Sequence, residues 1–167
     1  AAGTTYLTTG LTQNFDLRGG GSQAATLTVT TQFHGSWAPA VRAGLLRQSQ
    51  AQWQLSQIQD VVQDYPTATT VGEVQLQNLA GGETLQLTAR LRIPRALGDA
   101  RDPHFSFFAE AIATAVQPRD ESTRRFPLGL PWPLKLEQHI EAVLPPQWQV
   151  PAGKIVVENP AFRYQRE

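Results

Sequence analysis

VGEVQLQNLAGGETLQLTARLRIP, residues Val71 to Pro94, carries the plainest structural signal in the chain. Leu85, Leu87, Ala89, Leu91 and Ile93 alternate with Gln86, Thr88, Arg90 and Arg92, the two-residue period of a strand with one face buried. Gly81 and Gly82 supply a turn, so the stretch reads as a β-hairpin, and Pro94 ends its second strand because proline cannot donate to a ladder.

The same period recurs on both sides. TLTVTTQF places Leu27, Val29, Thr31 and Phe33 on one face, with Thr26, Thr28, Thr30 and Gln32 on the other. Before it, Gly19 to Gly21 break any regular element and mark a loop between two Thr-rich strands; the Gly-Lys-Ser/Thr ending and following helix of a phosphate loop are missing. Towards the other end, RRFPLGLPWPLKLEQHIEAVLPPQW (124–148) holds an extended approach at Pro127, Pro131 and Pro133. An alternating strand follows, with Leu134, Leu136, Gln138, Ile140, Ala142 and Leu144 on one side and Lys135, Glu137, His139 and Glu141 on the other. GKIVVEN and AFRYQRE read as two more strands, and HFSFFAEAIATAVQ leans towards strand at its end.

Between Trp37 and Pro66 the composition changes to Ala, Leu, Gln and Arg. Val41, Leu45, Leu55, Ile58 and Val62 recur at helical spacing, which predicts one long helix over residues 41–63, entered near Pro39. The expected fold is therefore α+β and mostly β: an antiparallel β-sandwich of about seven or more strands with one long inserted helix. With 167 residues the chain is expected to be one sandwich-like domain spanning 1–167, and the lack of any Met, even at position 1, suggests a domain excised from a longer protein.

Composition narrows the function. Fourteen Lys and Arg balance fourteen Asp and Glu, which leaves no electrostatic footprint for nucleic acid. No stretch reaches the ~20 apolar residues of a membrane span. The absence of Cys removes disulfides, thiol nucleophiles and thiolate metal sites together. His34, His104 and His139 lie far apart without metal-ligand spacing, and no Ser sits in a Gly-x-Ser-x-Gly elbow, so no catalytic, cofactor or metal residue is assigned. Glu137, His139 and Glu141 share a strand face, which reads as a solvent-facing polar row rather than an acid and base pair. Trp37, Trp132, Trp148 and Tyr164 raise a different possibility, since exposed rings stack on sugars or dock a protein. Most Trp residues of a small β-domain close off its core, however, so Trp132, Trp148 and Tyr164 are kept as a candidate ligand or docking surface only.

Around the Pro-rich stretch, Arg125, Pro127, Pro131, Ile140, Leu144, Pro145 and Trp148 form a pattern that resembles the β-domain following the transglutaminase-like core in bacterial DUF3857-type proteins. GSWAPAVRAGLL, with Gly35, Ala40 and Arg42, is similar to that family's entrance to a helix after a strand. The resemblance implies a Cys-His-Asp constellation in the preceding core, which a chain without Cys does not itself supply. It thus implies a non-catalytic accessory or interaction domain, periplasmic or extracellular. Its partners would be other domains of the same parent chain, or an envelope protein or peptide. The alternative is an independent carbohydrate- or peptide-binding module.

Overall fold

The computed structural model describes residues 7–20, 23–47, 49–98, 103–109, 111, 134–150, 153–158 and 163–166. Two long Thr-rich strands come first, β1 (Leu7–Asp16) and β2 (Ala25–His34), followed by helices α1 (Trp37–Leu45) and α2 (Gln50–Asp64). A short β3 (Thr69–Thr70) and β4 (Gln75–Leu79) lead through a 3-10 turn into β5 (Thr84–Ile93). Further along the chain come β6 (Leu134–Val143), β7 (Ile155–Glu158) and β8 (Arg163–Arg166). The fold is mostly strand.

The hairpin forms where the sequence predicts it. Gly81 and Gly82 take φ of 64° and 97°, a left-handed region that costs glycine nothing and other residues a Cβ clash. Arg42 of α1 braces this turn, donating from its guanidinium to Asn78 Oδ1 at 2.7 Å and to the Gly82 carbonyl.

β1 to β6 form one sheet in the order β3-β5-β2-β1-β6, with β4 also on β5; β7 and β8 pair separately. The expected antiparallel sandwich is corrected in two respects. Most described strands belong to a single six-stranded sheet rather than to two comparable ones, and that sheet is mixed, because β6 runs parallel to β1 from Leu7↔Leu134 to Asp16↔Val143. A parallel neighbour needs a crossover of a dozen or more residues, and the separation between Ile93 and Leu134 permits one.

The single helix expected over 41–63 is also corrected, to two. Ser49 opens α2 with a capping box in which its hydroxyl accepts from Gln52 N and the Gln52 side chain accepts from Ser49 N. This Ser-x-x-Gln pattern satisfies backbone donors that a continuous helix would satisfy internally, and so restarts the helix there. Within α2 the buried face is Trp53, Ile58 and Val61, followed by Tyr65, while Leu55, expected on that face, is 65% exposed. Val41, Leu45 and Val62 pack at the rim of the core.

That core lies on one face of the sheet. Ranks cross it in register: Leu91, Leu27, Phe15 and Ala142 in one, and Ala89, Val29, Gln13 and Ile140 in the next. Full burial of a Leu or Phe contributes about 1.5–3 kcal/mol, so these ranks and the α2 face hold the sheet to the helix. Residues 103–109 are irregular and extend the core with rings. Phe105 packs 4.9 Å from Phe15 between centroids and stacks on Tyr65, whose hydroxyl donates to Ser106 O. The strand expected at the end of HFSFFAEAIATAVQ lies outside the described residues, as do Pro127, Pro131 and Pro133.

Candidate functional site

Opposite the core, the sheet presents a face of Thr, Gln and Asn. Here Glu137, Gly10, Gln32 and Gln86 lie in one rank across β6, β1, β2 and β5, and His139, Thr12, Thr30 and Thr88 in the next. The face is internally bonded. Gln32 Nε2 donates to Gln86 Oε1 at 2.9 Å, and His34 Nδ1 and Thr84 Oγ1 share a hydrogen bond of 2.9 Å.

Gly10 is the irregular member. It sits inside the ten-residue β1, where glycine weakens a strand and brings no side chain to the face. Beside it lies a hollow of about 360 Å³, lined by Gly10, Thr12, Gln32, Glu137 and His139 among others. Nothing in the packing demands glycine: a Cβ placed there would meet only Gln32 Cβ, at 4.0 Å, ordinary contact. Amide, hydroxyl, carboxylate and imidazole groups therefore surround an open, shallow, polar depression. Such a lining suits hydrogen bonding to a polar chain or saccharide.

The charges near it are paired along the surface. Lys135 Nζ lies 2.6 Å from Glu137 Oε1, and this hydrogen bond and charge hold the Glu137 carboxyl below its usual range, with His34 adding to the effect. At the far end of β1, Arg18 grips Asp16 through Nη2 at 2.6 Å and Nε at 2.9 Å, which holds the Asp16 carboxyl down at about 2. Among the described residues, no group of three or more His, Asp or Glu is placed to hold a metal ion, and no helix is long and apolar enough to cross a membrane.

The aromatic residues singled out from sequence occupy different places. Trp132 lies outside the described residues. Trp148 follows β6 in a turn, donating its backbone N–H to Pro145 O at 2.9 Å, and packs half-buried against the core. Tyr164 belongs to β8, paired opposite Val157 of β7 in the small sheet. Trp37 opens α1 and is 38% exposed, whereas Trp53 is buried. Sequence reasoning passed over Gly10 and Gln32. The available signal was a lone glycine within the alternating TTGLTQ, the sign of a bulge or a close approach in a strand.

Compared with known proteins, the chain matches no family model, no curated protein and no solved structure.

Proposed function

We propose that the chain is a non-catalytic accessory or interaction domain that docks through the polar face of its main sheet, centred on the Gly10 hollow. One observation carries this reading. A glycine stands mid-strand where a larger residue would fit without crowding, so what the glycine provides is the hollow itself. Of its lining, Glu137 is engaged with Lys135, and elsewhere on the same face His34 is engaged with Thr84.

The resemblance to DUF3857-type proteins supplies the occupant: a transglutaminase- or cysteine-protease-like core of the same parent chain, or an envelope protein or peptide, in a periplasmic or extracellular setting. The second reading is a carbohydrate- or peptide-binding module, favoured by the hydrogen-bonding lining of the hollow. The variant Gly10→Thr separates these. It fills the hollow while suiting the strand. Binding of wild type and variant is measured against a separately produced transglutaminase-like core and against oligosaccharide and peptide panels. Core binding lost in Gly10→Thr supports docking; saccharide or peptide binding lost in it supports the second reading. Binding unchanged by Gly10→Thr, or turnover of acyl substrates by the chain alone, overturns both.

A further inference from the structure

The outer edge of β6 carries a second inference; it shares Glu137 and His139 with the lining of the Gly10 hollow but rests on the strand edge, not on what the hollow binds. β6 ends the strand order of the main sheet, and among the described residues it pairs only with β1. In a parallel pair, alternate residues turn both N–H and C=O towards the neighbour. The Val143 carbonyl accepts from Leu17 N at 2.9 Å on the β1 side. Lys135, Glu137, His139 and Glu141 share that phase, so the backbone groups of Leu134, Leu136, Gln138, Ile140 and Ala142 point outward.

The geometry points to a second copy of this chain as the partner of that edge, added antiparallel about a twofold axis at Gln138. In this register the outward groups all fall into hydrogen-bonded pairs: Gln138 with its own counterpart, Leu136 with Ile140, and Leu134 with Ala142. The side chains of the other phase then stand in the closer, non-hydrogen-bonded pairs on the polar face. Lys135 meets Glu141 of the second copy, and Glu137 meets His139 of the second copy, each pair occurring twice by symmetry. Cation faces carboxylate and imidazole faces carboxylate at every position. A charged edge strand ordinarily discourages pairing. Here the order of charges discourages other registers and partners while matching itself. On the core face Leu136 and Ile140, both half-buried, extend the apolar rank of one sheet into the other.

Sedimentation equilibrium over a range of concentrations tests the proposal with charge reversals at exposed positions that leave the core untouched. Wild type is expected to dimerise reversibly, more weakly at high salt. Lys135→Glu sets carboxylate against carboxylate and Glu141→Lys sets ammonium against ammonium; each is expected to weaken the dimer roughly tenfold or more. The two single variants mixed together, or both changes in one chain, restore opposite charges at the same contacts and are expected to recover dimerisation. Thermal unfolding of each variant at low concentration controls for loss of fold. A wild type that stays monomeric at all concentrations overturns the proposal, and so does a dimer indifferent to the single reversals or one that the double reversal fails to rescue.

Discussion

Gln138 reaches from β6 into the core and donates Nε2 to Oε1 of Gln13, at 2.9 Å, where Gln13 is only 1% exposed. The same Nε2 donates to Phe108 O at 2.9 Å, and Gln138 Oε1 accepts from Ala111 N at 3.2 Å. One side-chain amide thus ties the parallel strand to its neighbour and holds Phe108 and Ala111 against it. Gln138→Leu is expected to cost about 1–3 kcal/mol, because it leaves the buried Gln13 amide without this partner. The double change Gln13→Leu with Gln138→Leu should cost less than the sum of the singles. Urea unfolding of the set measures the coupling, and strict additivity would show that the pair does not act as a unit.

Ile58 and Leu55 lie three positions apart on α2 with opposite environments, 6% and 65% exposed. Ile58→Ala is expected to lose roughly 2–5 kcal/mol and Leu55→Ala only a few tenths. Chemical denaturation of the two variants checks the helical phase; equal losses would place α2 differently against the sheet.

Ser49→Ala removes the capping box and should cost about 1 kcal/mol. Ser49→Gly, which keeps the conformational freedom of the cap, should cost less. Unfolding midpoints for the two variants, compared at a constant denaturant slope, give the answer.

Gly10→Thr is expected to stabilise the chain by about 0.5–1 kcal/mol, since a residue free to pack replaces the one that loses most entropy in a strand. A gain in melting temperature together with lost binding would identify Gly10 as held for the hollow. A loss of stability would show that the glycine is needed by the backbone.

Asp16 sets an acid limit of small size. Its carboxyl is held at about 2 by Arg18, below the roughly 3.9 of an unfolded chain. A depressed carboxyl stabilises the fold above the unfolded value, and that contribution is lost as pH falls from about 4 through about 2. The pair is well exposed, with side chains at 66% and 42%, so the effect should stay below about 1 kcal/mol. Stability of Asp16→Asn measured from about pH 6 down to about pH 2 should approach that of wild type at the acid end.

Strand identity was legible because the two-residue period of Leu85 to Ile93, Leu27 to Phe33 and Leu136 to Ala142 depends only on neighbours in the chain. The same alternation is silent on direction: whether β6 joins β1 parallel or antiparallel depends on where a distant crossover delivers it. The helix break was written in Ser49 and Gln52, yet it is a local hydrogen-bond exchange that apolar spacing does not register. The hollow was hardest to see, since its lining comes from β1, β2 and β6, and only their register brings Gly10, Gln32 and Glu137 into one rank.

The parallel pairing of β1 with β6 also fixes an order of events during synthesis. Paired residues of these strands stand more than a hundred positions apart, so β1 leaves the ribosome long before its second neighbour exists. At translation speeds of about 5–20 residues per second, β1 waits on the order of 10 s with one edge open. β2 can cover its other side early through the short turn after Asp16, but the exposed edge is a ten-residue template until Leu134 and its successors emerge. A nascent chain stalled before β6 is therefore expected to be the species that chaperones capture or that aggregates.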